Sequence, residues 1–214
     1  MPISHAHRCV FVHIPKTGGT SIESALDMFH DWKIENTDAC FGKIQSPELL
    51  ARHWPSHFLQ HLSWFELCSL IPEAQRAGYV SFSWVRNPWE KMVSVYANTD
   101  CDLLEHARLC GLELSHLSFA EFVQATLDFP HVHLRPQHEF ILTPDGHPAV
   151  DFIGRFENFA ADFDRLSQQL GVSLALPHKN ASSHLDYRRY YDDATRASIA
   201  QKYHADIAAF GYTF

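Results

Sequence analysis

An apolar run that ends in a glycine pair limits this chain more than any other feature. Cys9-Val-Phe-Val-His-Ile14 is almost continuously apolar and stops at Pro15, the pattern of a parallel strand covered on both faces. Lys16-Thr-Gly-Gly-Thr20 then makes a tight turn, and from Ser21 a helix is expected with Ile22, Ala25, Leu26 and Phe29 on one face. A second unit of the same kind follows. Tyr79–Val85 alternates and is rich in β-formers, Arg86-Asn87 follow, and Pro88 falls in a first helical turn ahead of Trp89, Met92, Val93 and Tyr96. Val150–Ile153 reads as a third strand, leading into Gly154-Arg-Phe-Glu-Asn158. Strands alternating with helices imply a single α/β domain over residues 1–214, with a mostly parallel sheet flanked by helices and a P-loop-like phosphate-binding strand–loop–helix. Ligands of such sheets sit beyond the carboxyl ends of the strands, where the turns at Pro15–Ser21 and Arg86–Pro88 fall.

The remaining segments read as helices. Ser46–Ile71 is mostly helical in pattern, broken at Pro55 and continuous over Phe58–Leu70. Ser118 and Glu121 form a capping-box pattern. Asn158 is placed to cap a helix with Phe159, Phe163, Leu166 and Leu170 on one face, stopped by Gly171. A last helix is expected from Asp193 to Phe210, with Ile199, Tyr203 and Ile207 inward and Gly211 as its stop. No internal repeat or linker stands out.

Composition excludes several classes. With 46% hydrophobic and 20% charged residues, the chain is too apolar for a disordered segment. No stretch approaches the roughly 18 to 20 apolar residues of a membrane span, and Met1–His13 lacks the pattern of an export signal. Seventeen Lys and Arg against 25 Asp and Glu leave a net charge of -8 with no basic tract, which argues against a nucleic-acid partner. The 5 Cys are odd in number and contain no CxxC pair, which fits a reducing, cytoplasmic compartment, although a single bridge such as Cys101–Cys110 stays open. Most of the 16 His read as solvated or hydrogen-bonded side chains.

Pro15-Lys-Thr-Gly-Gly-Thr-Ser21 carries the chemistry. Gly18 and Gly19 let the backbone curl so that N–H groups converge, Lys16 adds a full charge, and Thr17, Thr20 and Ser21 add hydroxyl donors. Together with the start of the following helix they describe a phosphate cradle, the plain alternative being an ordinary Gly-Gly turn. The loop is not GxxxxGK[ST]: Lys16 precedes the glycines and no GK[ST] occurs anywhere, which weakens a kinase reading.

PKTGGTS, followed by a second strand ending in Ser83-Trp-Val-Arg-Asn-Pro-Trp-Glu-Lys-Met-Val-Ser-Val-Tyr96, resembles the sulfotransferase superfamily, closest to its carbohydrate-type and bacterial branches. The resemblance continues through Gly154–Asn158, Asn180-Ala-Ser182 and Asp206–Phe214. It implies a sulfuryl donor, 3′-phosphoadenosine 5′-phosphosulfate (PAPS), and a hydroxyl-bearing acceptor, with a glycan among the candidates. The family's first loop holds the 5′-phosphosulfate, here Lys16–Ser21. Its VRNPxxRxxSxY motif holds the 3′-phosphate through an Arg and a Ser, which fall on Arg86 and Ser94, and Asn180 and Ser182 join the donor-binding set by the same likeness. Lys91 stands where the family's second Arg is usual, keeping charge but losing the planar fork.

The resemblance also implies a general base. A Lys-His-x-x-Ala-like motif between the phosphate motifs corresponds to Arg52-His53-Trp54-Pro55-Ser56, so His53 takes the acceptor's proton while Lys16 stabilises the leaving phosphate. His57 and His61 follow at helical spacing, and the slot could belong to His57. Two His four apart can also bind zinc, but no carboxylate or Cys completes a set there, and no metal is expected. Trp54, Trp64 and Trp84 read as core, with one of them an open candidate to stack on adenine, Tyr187, Tyr190 and Tyr191 as further candidates for that stacking, and Gln137 as either an acceptor-side group or a solvated loop amide. The rivals are a nucleotide or small-molecule kinase and a non-catalytic nucleotide-binding protein.

Overall fold

The computed structural model describes residues 2–31, 36–45, 47, 58–99, 101–176 and 186–214. Four strands form one sheet: β1 (Ile3–Ser4), β2 (Cys9–Val12), β3 (Val80–Val85) and β4 (Phe152–Arg155), in spatial order β1-β2-β3-β4. β2, β3 and β4 are parallel, with Phe11 opposite Phe82 and Phe82 opposite Phe152. β1 is antiparallel to β2, a pairing of two residues, too short to show as periodicity. The described helices are α1 (Gly19–Ala25), α2 (Trp64–Leu70), α3 (Glu73–Arg76), α4 (Pro88–Ala97), α5 (Cys101–Leu109), α6 (Phe119–Thr126), α7 (His138–Ile141), α8 (Phe159–Leu170), α9 (Asp193–Lys202) and α10 (His204–Phe210).

β2 is buried on both faces, which is why its sequence does not alternate. Cys9 and Phe11 pack with Phe82, Trp84, Ile22 of α1, and Phe163 and Leu166 of α8. Val10 and Val12 pack on the opposite face with Val85, Leu67 of α2, and Phe140 and Ile141 of α7. A third cluster lies among helices, where Met92 and Val93 of α4 meet Phe122 and Val123 of α6 and Ile199 of α9. The two serines of β3 are satisfied inside the sheet: Ser83 Oγ donates to the Val12 carbonyl at 2.7 Å, and Ser81 Oγ donates to Asp151 at 2.7 Å. Trp84 faces Gly154 across the ladder, and a Cβ on Gly154 would lie 2.3 Å from the indole. Only glycine admits that indole.

Several boundaries differ from the sequence reading. The third strand starts at Phe152, two residues later than expected. The helix expected over 58–70 is broken: Phe58 bridges to Lys43, Leu59–His61 form a 3₁₀ turn, and α2 begins after Ser63. Ser63 Oγ accepts the Glu66 N–H and Glu66 Oε2 accepts the Ser63 N–H, a capping box that starts a new helix. The box at Ser118 and Glu121 forms as expected. Asn158 precedes α8, but its side chain makes no cap; instead Asp162 reaches back to accept the Arg155 N–H at 2.8 Å. The last helix divides at Tyr203 into α9 and α10, which places Asp206 in the first turn of α10 with no exposure. Among the described residues no helix is long and apolar enough to cross a membrane. Cys9, Cys68 and Cys110 are free thiols.

Candidate functional site

The loop after β2 is held by its own atoms and by two neighbours. Thr17, fully buried, donates to the Ile14 carbonyl at 2.8 Å, so its hydroxyl closes the turn. Lys16 and Gly18 both adopt left-handed backbone, at φ 67° and 88°. For a lysine this costs on the order of 1–2 kcal/mol, and the Lys16 carbonyl accepts from Arg86 Nη1 at 3.2 Å in that conformation. Gly18 is hemmed in by Phe156 and Phe159, and Gly19 by His13, whose Nε2 would lie 2.1 Å from a Cβ there. The two glycines therefore serve close packing as well as curvature. Lys16 Nζ donates to the Asn98 carbonyl at 3.0 Å, Ser21 is buried, and Thr20 is exposed.

Arg86 leaves β3 at its carboxyl end and is 2% exposed. Its guanidinium binds Glu90 Oε1 at 3.0 Å and lies 3.8 Å over the Phe156 ring. Its backbone is sealed by Gln137, whose Oε1 accepts the Arg86 N–H and whose amide donates to the Arg86 carbonyl, each at 2.8 Å. Gln137 is thus neither an acceptor-side group nor solvated. It is a fully buried spacer, itself fixed where Asp206 accepts the Gln137 and His138 N–H groups at 2.8 Å. Asn87 caps α4, accepting the Trp89 N–H, and it donates to the Thr213 carbonyl. Glu157 accepts the Asn87 N–H at 2.6 Å. The segment from Gly154 to Asn158 therefore touches both the glycine loop and the arginine turn.

Ser94 is buried on α4, two turns beyond Arg86. Lys91, on the same helix, is buried too. Its Nζ donates to the His133 carbonyl at 2.9 Å and the Arg135 carbonyl at 3.4 Å, and burial pulls its ammonium down to about 8. It clamps the Val132–Leu134 turn. Tyr191 donates to the Trp89 carbonyl, and Tyr190 packs edge-on to Phe119 at 5.7 Å, so both belong to the helical layer. His53, His57, Trp54, Asn180 and Ser182 lie outside the described residues.

His61 is described, and it joins a set of histidines that the motifs did not single out. His13 and His61 rings are 4.7 Å apart, His61 and His133 are 5.8 Å apart, and His133 and His131 are 4.9 Å apart. Burial first, and neighbouring positive groups second, hold His61 and His133 well below the usual imidazole range. In sequence His61 stood out only through its helical spacing from His57, and it lies instead in a 3₁₀ turn, while the other three come together through contacts that no local pattern encodes. Among the described residues no group of three or more His, Cys, Asp or Glu side chains is arranged to hold a metal ion.

The glycine loop, Arg86 and the Phe156–Glu157 turn thus converge at the carboxyl ends of three adjacent parallel strands, the place where an open α/β sheet binds ligands. An uncharacterized protein of Archaeoglobus fulgidus is 30% identical over 118 residues, covering 52% of this chain and 85% of that protein. No solved structure gives a significant match. The model of the sulfotransferase family matches residues 1–213, with the glycine loop, the arginine turn and the Gly154–Asn158 turn all inside the match, and the chain belongs to that family.

Proposed function

We propose that the protein transfers the sulfuryl group of PAPS to a hydroxyl of an acceptor, a glycan being one candidate. The observation that carries this reading is the tie between the two cationic turns: Arg86 Nη1 on the Lys16 carbonyl brings the lysine-bearing glycine loop and a buried guanidinium to one sheet edge. That donor set fits an anion with two separated phosphate groups. Lys16 and the amides of Gly18–Ser21 would hold the 5′-phosphosulfate, with the Thr20 and Ser21 hydroxyls beside them. Arg86 and Ser94 would hold the 3′-phosphate, joined by Asn180 and Ser182. The bound donor supplies an activated sulfuryl group.

The protein's own work is then positioning, charge and one proton. Lys16 lies where negative charge gathers on the departing phosphate, and fixed donors there need no reorganisation during the step. His53 is the base for the acceptor proton, with His57 as its alternative one turn on. A well-placed base contributes typically 10²- to 10⁴-fold, so His53→Ala should lose about that much in rate while affinity for 3′-phosphoadenosine 5′-phosphate stays unchanged. Near-normal turnover in His53→Ala with collapse in His57→Ala would move the base. The reading itself is tested by turnover with PAPS and a panel of hydroxyl acceptors, and by calorimetry comparing 3′-phosphoadenosine 5′-phosphate with AMP and ATP. Chelators should leave the rate intact. Equal affinity for AMP and the bisphosphate, or a rate lost on chelation and restored by added metal, would reject it.

A further inference from the structure

A negative charge sits where a loop that receives anions should avoid one. Glu23 of α1 is 2% exposed, and its Oε1 lies 2.6 Å from His13 Nδ1. His13 is itself 6% exposed, stacked at 5.3 Å on Phe11, with its Nε2 turned toward Gly19 and bonded to nothing among the described residues. A lone carboxylate so close to the loop would repel its ligand and would be costly to bury. Paired with an imidazolium, the two groups carry no net charge, and the positive member is the one against the loop. The carboxylate also fixes the imidazole, because Nδ1 must carry a proton to donate to it.

We infer that Glu23 and His13 form a positioning dyad for the phosphate loop, in which Glu23 holds the imidazole protonated and oriented while His13 braces Gly19 and sets positive charge beneath the loop. This rests on the reading of the loop as an anion cradle. Other groups bear on the same ring. His61, from the 3₁₀ turn at Leu59–His61, meets it edge-on and donates its Nδ1 proton to the His13 carbonyl at 3.1 Å. His133 stands behind His61, with Lys16 near enough to act on it, and Asp102 of α5 acts on His61 in the opposite sense. A charge on His13 opposes one on His61. Glu23, in contact with His13, favours the charge there.

The test is side-chain and amide NMR of the ligand-free protein across pH, on the wild type, Glu23→Gln and His13→Asn. Gln keeps an acceptor for the Nδ1 proton but removes the charge. The His13 titration midpoint should fall by about 1 to 3 pH units in Glu23→Gln, and the Gly18 and Gly19 amides should follow the His13 midpoint in both proteins. In His13→Asn, which keeps a group at the Nδ1 position, that component of the amide titration should vanish. Inorganic pyrophosphate should bind more weakly to Glu23→Gln above its lowered midpoint. An unmoved His13 midpoint in Glu23→Gln, or loop amides that stay flat through it, would overturn the dyad. If His13→Asn does not fold, the Glu23→Gln comparison decides the matter alone. A wild type that bound 3′-phosphoadenosine 5′-phosphate no better than AMP would overturn the proposed function, while these ligand-free midpoints would still decide the dyad.

Discussion

Arg86 shows how one side chain can be legible in sequence and still hold a surprise. Its place after a strand could be read from the sequence, and the family resemblance set it beside Ser94 as a candidate for the 3′-phosphate. What spacing could not show is that the guanidinium is already engaged, by Glu90 on one side and the Lys16 carbonyl on the other. In the proposed function, an anion at this guanidinium would have to share or displace Glu90. Removing Arg86 removes a charged hydrogen-bond partner, so Arg86→Ala should weaken 3′-phosphoadenosine 5′-phosphate by about 1.5–3 kcal/mol, roughly 10- to 150-fold, by calorimetry. Glu90→Gln should act in two opposite directions. Affinity for the bisphosphate should rise, by about tenfold at most, while thermal stability falls because a buried guanidinium loses its counter-charge. A Glu90→Gln protein that gained neither effect would mean that the pair is incidental. The structural roles of Gln137 and Asp206 escaped the sequence reading for a different reason: they depend on contacts across 51 and 69 residues, which no local pattern encodes.

Elements were legible where a single physical signal dominated. The parallel strands β2 and β3 announced themselves because burial on both faces makes a continuous or β-rich run, and the glycine loop because it interrupts that run abruptly. Helix ends were less legible. Ser63 and Glu66 lie inside an apolar pattern that runs unbroken through them, so a new start looked like a continuation. At Tyr203 the pattern also continues, and the break follows from tertiary demands: the Tyr203 hydroxyl donates to the Leu134 carbonyl and Asp206 reaches the start of α7. Pairing between β3 and β4 turns on one missing side chain. Gly154→Ala would drive a methyl into Trp84, and overpacking of this kind costs about 1–3 kcal/mol. Trp84→Phe should recover part of that loss, so the double variant should be more stable than the sum of the single effects in urea unfolding. Simple additivity would show that the two side chains do not compete for one space.

At the scale of the molecule, the buried histidines govern how stability responds to acid. His61 and His133 are held well below the usual imidazole range when folded, whereas the unfolded chain titrates them near 6.5. Below that value the unfolded state binds more protons, so stability is full above about pH 6.5 and is lost as pH falls. With two such groups the slope approaches about 2.7 kcal/mol per pH unit. His138 has the opposite sign, because its hydrogen bond to Asp206 raises it and adds stability on the acid side that is lost as pH rises through its folded value. His13, held protonated by Glu23 in the dyad proposed above, carries the same sign as His138, so the share of the buried rings is read by difference. Between pH 7.5 and 5.5 the urea midpoint of His133→Gln should fall less, or rise more, than that of the wild type. The same pH dependence in both proteins would contradict the burial of His133.

The brace around Asn87 has a consequence for how the molecule comes into being. Asn87 donates to the Thr213 carbonyl across 126 residues, and Tyr212 donates to Glu157, which in turn accepts the Asn87 N–H. A ribosome delivers these partners in order, and the arginine turn leaves the exit tunnel long before residues 212 and 213. Parallel pairing of β2 with β3 already spans about 70 residues of chain, and β4 must arrive before Glu157 can reach the turn. The nascent chain therefore carries the arginine turn without this brace until residues 212 and 213 have emerged. Long-range closure of this kind is slow. A chain arrested before residue 212 should hold its sheet yet leave the Asn87 side-chain amide open to hydrogen exchange, and emergence of residues 212 and 213 should protect it.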